Sequence, residues 1–219
     1  MTSAKQIYLG VRRGTPTPPL PYDAEVEYIE STGTQWINTR IKPKFDDVVR
    51  IELNVGTSSS SGRRFLLSDG NPNVAHYAEI NGDNKYGVNN SRVIPVSFTV
   101  GNLYKAYAEF SGTLAKLGAT INNSDYETSD TNYASPDWRD SLRLFRIDNT
   151  YAGSGSRIGR LSIKINGDIV FNSRPVRFTN ELGQSEGAMY DRVSGDFFRN
   201  AGSGEFRFGT DIAGGGING

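Results

Sequence analysis

Apolar and polar residues alternate with a period of two along three separate stretches of this chain, and that period limits the fold more than any other feature. In "VRIELNV", Val49, Ile51, Leu53 and Val55 fall on one face and Arg50, Glu52 and Asn54 on the other. "LYKAYAEF" sets Tyr104, Ala106, Ala108 and Phe110 against Lys105, Tyr107 and Glu109, while "LSIKI" sets Leu161, Ile163 and Ile165 against Ser162 and Lys164. Successive side chains of a strand point to opposite sides, so each stretch reads as a strand with one buried face. "INGDIVF" carries Asn166-Gly167, the pair preferred in a two-residue hairpin turn, which predicts an antiparallel hairpin there. Further strand candidates are "EVEYI", "RRFLLS", "VAHYAEI", "VIPVSFTV", "LRLFRI" and "EFRF", whereas no long window carries a helical stripe. Many short strands at modest spacing imply an all-β fold, a jelly roll or other β-sandwich.

Composition agrees. A chain of 219 residues, 36% hydrophobic, is long enough for one sizeable core, and 25 glycines with 11% aromatics suit short strands joined by tight turns. Lys+Arg and Asp+Glu both number 24, so no global field draws the chain to nucleic acid or to an anionic membrane. Cysteine is absent, which excludes a disulfide framework and a thiolate metal site. The lone histidine, His76, alternates in phase with Val74, Ala78 and Ile80 and has no partners that would make it a catalyst. No nucleophile elbow, phosphate-binding glycine loop or zinc spacing is present in the sequence.

The chain divides into an arm (residues 1–13), a Pro-rich spacer (14–21), a sandwich domain (22–211) and a Gly-rich tail (212–219). "GTPTPPLP" holds four of the nine prolines and favours a semi-rigid extended geometry. Before it, Ile7, Leu9 and Val11 alternate with Tyr8 and Gly10, followed by Arg12 and Arg13. An isolated strand is not stable in water, so the arm is expected to add to the sheet edge of a neighbouring subunit, with the two arginines meeting acidic groups beside it, in a homo-oligomer. The opening residues are too interrupted for a secretory apolar core, and no stretch reaches membrane-spanning length, so synthesis in a cytoplasm and no membrane insertion are expected. "TSSSSG" and "INGDNKYGVNNS" read as loops.

Three stretches carry a family resemblance: "VEYIESTGTQWINTRIKP", "IKINGDIVFNSRPVRF" and "GAMYDRVSGDFFRNAGSGEFRFG". Their order and wording resemble the concanavalin A-like, laminin-G-type jelly-roll domains of tailed-phage structural proteins and of gut-bacterial surface proteins. The middle, from Gly56 to about Leu142, matches in strand pattern alone. The resemblance implies a turn at Ser194-Gly195 and a last strand folding back beside the first, with Phe197, Phe206 and Phe208 sealing the core edge and Gly202 and Gly204 giving the turn its backbone freedom. It also implies a virion localisation and other virion subunits as partners of the arm. "IYLGVRRG" is itself similar to short N-terminal segments of phage tail proteins.

Against this background, "EVEYIE" resembles the strand motif of retaining glucanases on the same jelly roll, where alternating carboxylates flank the sugar bond about 5 Å apart. Glu25, Glu27 and Glu30 depart from it: the central residue is not Asp, and the segment opens the domain. The non-enzymatic relatives carry "EYIEST" here, so no catalytic residue and no enzyme are expected. Calcium is the one cofactor the resemblance leaves open, because some laminin-G-like domains bind it at the sheet rim. Neither Asp46-Asp47 nor Asp69 supplies the six or more oxygens it needs. Trp36 reads as packing. "NNSDYETSDTNYASPDWRDS", Asn122 to Ser141, shows no alternation and reads as a long polar loop carrying Tyr126, Tyr133 and Trp138. Those aromatics either stack on host-surface glycans, with Asp and Asn binding hydroxyls, or anchor the loop on the sandwich. The expectation is a non-enzymatic adhesive or structural protein of a tailed phage, in the tail, a fibre or a capsid decoration. The rivals are a bacterial surface glycan-binding module and a glucanase-like hydrolase.

Overall fold

The computed structural model describes residues 20–59, 62–70, 75–80, 85–88, 92–95, 99–130, 138–148, 150–151 and 153–212. Its first strands are β1 (Ala24–Glu25), β2 (Ile29–Ser31), β3 (Ile37–Asn38), β4 (Val49–Thr57), β5 (Gly62–Ser68), β6 (His76–Ile80), β7 (Lys85–Val88) and β8 (Arg92–Pro95). Then come β9 (Leu103–Ser111), β10 (Leu114–Ile121), β11 (Ser124–Asp130), β12 (Arg143–Leu144), β13 (Arg146–Ile147) and β14 (Thr150–Tyr151). The last are β15 (Ser156–Ile165), β16 (Asp168–Thr179), β17 (Ser185–Asp191), β18 (Phe197–Phe198) and β19 (Arg207–Phe208). Among the described residues there is no helix.

The alternating stretches form the middle of one large antiparallel sheet, ordered β11, β10, β9, β4, β15, β16, β17, β18. Leu53 lies between Ala106 of β9 and Leu161 of β15, and Ile51 between Ala108 and Ile163, so the apolar sides of three strands align into one surface. A second sheet, ordered β3, β12, β5, β6, β7, β8, covers that surface. Ile37, Leu66, Leu67, Tyr86 and Leu144 from the second sheet join Ile51, Phe110, Leu117 and Ile163 from the first in a single core. Burial of this apolar surface is the main source of stability, as it must be in a chain without cysteine. The other face of the large sheet keeps its polar row: Glu127, Gly118, Tyr107, Glu52 and Ser162 are successive register neighbours across β11, β10, β9, β4 and β15.

Several strands depart from the sequence expectation. "EVEYI" is not continuous, since β1 pairs with β16, Val26 makes an isolated bridge to Asp211, and β2 pairs with β15 and β19. "LRLFRI" breaks at the buried Phe145, whose φ of 61° turns the chain from β12 in the second sheet into β13, which pairs with β14. The expected loop "INGDNKYGVNNS" contains β7. The expected long loop from Asn122 to Ser141 opens with β11, which forms a full register of seven pairs with β10. The turn between them is Asn122-Asn123, at φ 51° and 62°, the left-handed pair that two-residue hairpins require and that Asn tolerates. Asn166-Gly167, at φ 53° and 92°, turns the expected hairpin between β15 and β16.

The two ends of the domain close on each other. β19 pairs with β2, Glu27 N–H donates to Thr210 O at 3.0 Å, and Ile212 N–H donates to Glu25 O at 2.8 Å. Asp191 shapes the turn ahead of β18: its buried carboxylate accepts backbone N–H groups of Asn172 (2.7 Å), Val193 (3.3 Å) and Ser194 (3.0 Å), and Gly195 follows at φ 77°. Phe198 and Phe206 are buried, whereas Phe197 is half-buried and packs on Phe178 and Tyr190. The aromatic-rich terminal stretch is therefore a closure of the sandwich.

Candidate functional site

Strand periodicity fixes what the outer face of the large sheet can present. On β4, β9 and β15 the residues opposite the core are Arg50, Glu52, Asn54, Lys105, Tyr107, Arg160, Ser162 and Lys164, all half-buried or exposed. Together with Thr120 of β10, all of these except Lys164 line two adjoining depressions of about 420 and 680 Å³. Asn54, Lys105, Thr120 and Arg160 belong to both, so the depressions form one trough across the sheet. At its wider end it reaches Glu27, Tyr28, Asn102, Asn122 and Asn123. Each depression is in the size range that holds small ligands.

Ion pairs organise one wall. Arg50 donates through Nε to Glu52 Oε1 at 2.7 Å and through Nη1 to Glu109 Oε2 at 3.1 Å, and Lys164 Nζ lies 3.5 Å from Glu52. Those hydrogen bonds raise the Arg50 pKa, and the bond from Arg50 holds the Glu52 carboxyl below its usual range. The Arg50 guanidinium lies 4.2 Å from the centroid of the Tyr107 ring, a cation–π contact. The Tyr107 hydroxyl donates to Glu127 on β11, and desolvation followed by that bond pushes its pKa up to about 12. The ring crosses Gly118 of β10, where a Cβ would overlap it, so glycine is required at that position. Tyr107 is thereby held as a rigid wall.

Other groups of the trough carry no such restraint. Among the described residues the side chains of Asn54, Asn102, Lys105 and Arg160 make no hydrogen bond and no ion pair, although all four line it. Arg160 sits in a β-bulge, where the register of β15 against β4 shifts between Ile158 and Leu161. A bulge disrupts the ladder locally, and the periodicity of "LSIKI" did not reveal it because the bulge precedes that run.

The carboxylates of "EVEYIE" are differently placed. Glu25 is buried, accepts Arg174 Nη1 at 2.7 and 2.6 Å, and accepts the Tyr22 hydroxyl at 3.0 Å. Glu30, also buried, pairs with Arg157 Nε at 2.6 Å, and the Arg157 guanidinium lies 4.1 Å from the Tyr28 ring centroid. Glu27 is exposed.

The two described aromatics expected either to stack on glycans or to anchor their loop, Tyr126 and Trp138, take different positions. Trp138 is buried in the core, edge-on to Phe110 with centroids 5.6 Å apart, which is the packing role. Tyr126 pairs in register with the buried Ala119, so it sits on the core-side face of β11, at the sheet edge and 41% exposed. Tyr133 lies outside the described residues, as do Ile7, Tyr8, Leu9, Val11, Arg12 and Arg13 of the arm. Trp36 is half-buried, with the Arg146 and Arg143 guanidinium groups 4.5 and 5.7 Å from its ring.

Two of the carboxylates considered for calcium, Asp47 and Asp69, accept backbone N–H groups. Asp47 accepts Lys44 N–H at 2.7 Å and Asn166 Nδ2–H at 2.8 Å, and the first of these bonds leads the lowering of its pKa. The buried Asp69 accepts Arg139 N–H at 2.9 Å. Among the described residues no group of three or more His, Asp or Glu is arranged to hold a metal ion, and no helix is long and apolar enough to cross a membrane.

These sheets and their closure define an all-β, concanavalin A-like jelly-roll sandwich. No protein-family model matches the chain, and no curated protein matches it by sequence. Among solved structures it is similar to a Bacteroides ovatus protein described as carbohydrate-binding, with a TM-score of 0.56 at 10% identity over 89% of this chain and 62% of that one. The chain thus spans less than two thirds of that protein, and the likeness is one of fold. Smaller overlaps occur with the CBM40 module of the Ruminococcus gnavus IT-sialidase (TM-score 0.42, 16% identity, 66% of this chain and 91% of that one). A tailspike protein from a bacteriophage of Escherichia coli O157:H7 gives a TM-score of 0.43 at 10% identity over 68% of this chain and 26% of that one.

Proposed function

We propose that the chain is a non-enzymatic glycan-binding module whose site is the trough on the outer face of the large sheet, and that it serves as an adhesive component of a tailed-phage particle. The observation that carries the reading is the set of unpartnered hydrogen-bonding side chains, Asn54 and Asn102 among them, at a concave surface. Polar groups held ready in a depression suit a ligand covered with hydroxyls, and the walls of Tyr107 and Tyr28 give it apolar edges. The salt bridges of Glu25 and Glu30 support the absence of hydrolysis. Retaining chemistry needs a nucleophilic carboxylate and an acid that both face the sugar bond, whereas Glu25 and Glu30 are each taken up by an arginine of the fold, Arg174 and Arg157. The phage assignment is supported by the wording of "VEYIESTGTQWINTRIKP" and "GAMYDRVSGDFFRNAGSGEFRFG" and by the arm "IYLGVRRG".

The test is a glycan array followed by titration of the best ligand. Asn54→Ala and Thr120→Ala are expected to weaken binding about fivefold to tenfold each, with a melting temperature within a few degrees of the parent, the usual scale for one hydrogen bond. Binding that survives both substitutions would move the site elsewhere. Release of reducing sugar from a bound glucan, abolished by Glu25→Gln, would restore the hydrolase.

A further inference from the structure

The cations of the trough are not equivalent. Four line it: Arg50, Lys105, Arg160 and Arg174. Arg50 is neutralised by Glu52 and Glu109, and Arg174 by Glu25. Lys105 and Arg160 have no carboxylate and no hydrogen-bond acceptor among the described residues, and both are exposed. These two are the ones shared by both depressions, at the middle of the trough.

Their placement follows from the backbone. Lys105 is the register partner of Asn54 on one side and of Thr120 on the other, so its ammonium rises between the Asn54 amide and the Thr120 hydroxyl, which donates to Asp125 and keeps its lone pairs for a ligand. Arg160 reaches the same trough from the bulge in β15. Next to it, Gly159 packs so closely that a Cβ would lie 2.9 Å from the Asn54 Cβ and 3.2 Å from the Glu27 carbonyl oxygen. The bulge is thus packed against its neighbours at Gly159, and Arg160 stays in phase with Ser162 and Lys164 on the outer face. Two nearby carboxylates have no cation among the described residues: Glu27, which lines only the larger depression, and Asp125, which accepts the Thr120 hydroxyl at 2.7 Å and lines neither.

Resting on the glycan-binding reading of the same trough, we infer that its ligand is an acidic glycan, with the anionic group of one sugar seated between Lys105 and Arg160 and neighbouring hydroxyls bonded to Asn54 and Thr120. Charge complementarity is the argument: the site holds two uncompensated positive charges, and an anion on the ligand supplies what the chain does not. A guanidinium binds carboxylate, sulfate or phosphate oxygens through a fixed fork, whereas the ammonium acts as a point charge, so the shared chemistry is a negatively charged oxygen group.

The experiment compares three probes by calorimetric titration: a galacturonate trisaccharide, a sulfated galactose trisaccharide and the neutral galactose trisaccharide. At low salt the acidic probes are expected to bind about tenfold more tightly than the neutral one. Lys105→Gln and Arg160→Gln should each cut that ratio, and the double variant should bring it close to one. About 1 M salt should do the same, because screening then acts over about 3 Å. The two acidic arms separate carboxylate from sulfate as the preferred group. Equal affinity for acidic and neutral probes, or a preference that survives the double variant, overturns this inference and leaves the glycan-binding site standing. No binding of any of the three, with an array equally blank, overturns both.

Discussion

At the scale of the residue, a few buried polar side chains decide how the ends of the sandwich meet. Gln35 is buried, and its Oε1 accepts Thr32 N–H at 2.7 Å while its Nε2 donates to Ser203 O at 3.0 Å. That one amide joins the N-terminal "STGTQW" to the C-terminal "NAGSGEF". Gly202 is needed in the second segment because a Cβ there would strike Thr34 O. The sequence showed both segments as motifs, but not that they touch, since contact across more than 160 residues leaves no local period. Tyr22 gives a testable case at this scale. Burial first, and then the charge and hydrogen bond of Glu25, push its pKa to about 12 from 10.0. A raised pKa means that the folded state favours the neutral phenol, so the contribution is full below pH 10 and is lost as pH rises through about 12. Melting temperature followed from pH 8 to 12 should fall through that window, and Tyr22→Phe should flatten part of the fall. An identical alkaline profile in the variant would remove Tyr22 from the account.

At the scale of the element, what was legible depended on whether a strand has one dry face and one wet face. β4 and β9 do, and alternation alone shows them, as it shows the second half of β15, residues 161–165. β10 was missed because "LAKLGATI" buries Gly118 as well as its apolar side, the glycine lying beneath Tyr107. β11 was missed because it is a polar edge strand, "SDYETSD", whose charges are of the kind that guard an edge against further pairing. Its one local signal is Asn122-Asn123, a hairpin turn whose polarity is also that of a loop. Of the two roles the sequence leaves open for Trp138, stacking on a glycan or anchoring its loop, burial against Phe110 fits the second. The trough itself was half legible: its residues are the polar halves of the alternating strands, but their convergence depends on register. Trp138→Ala should cost about 3 to 5 kcal/mol in urea denaturation, the range for emptying a buried aromatic site, whereas Tyr126→Ala should stay within about 1 kcal/mol. A small loss for Trp138→Ala together with weakened glycan binding would return the indole to the ligand site.

At the scale of the whole molecule, the first and last segments complete each other. β2 has β15 on one side and β19 on the other, so Ile29 and Glu30 depend on Phe208 and Arg207 for half of their backbone pairing. Gly209 N–H also bonds to Tyr28 O at 2.9 Å, and Phe206 fills the core against Phe145 with centroids 5.5 Å apart. Removing residues from Phe206 onward would empty a buried aromatic site and leave a strand next to the core with unmet backbone groups. The aromatic alone is worth about 3 to 5 kcal/mol. In a chain of this size each kcal/mol corresponds to about 2 to 4 °C, so the melting temperature should drop by about 10 °C or more. Deleting residues 213–219 removes none of these contacts and serves as the matched control. The trough shares a boundary with this closure, since Glu25, Glu27 and Ile212 line its wider end. The longer deletion should therefore also lower glycan affinity at temperatures where the protein is still folded, which differential scanning calorimetry beside titration at 10 to 15 °C below the new transition would measure. If the shortened chain melts like the full one, the C-terminal segment is an appendage, and the final aromatic stretch needs a different explanation.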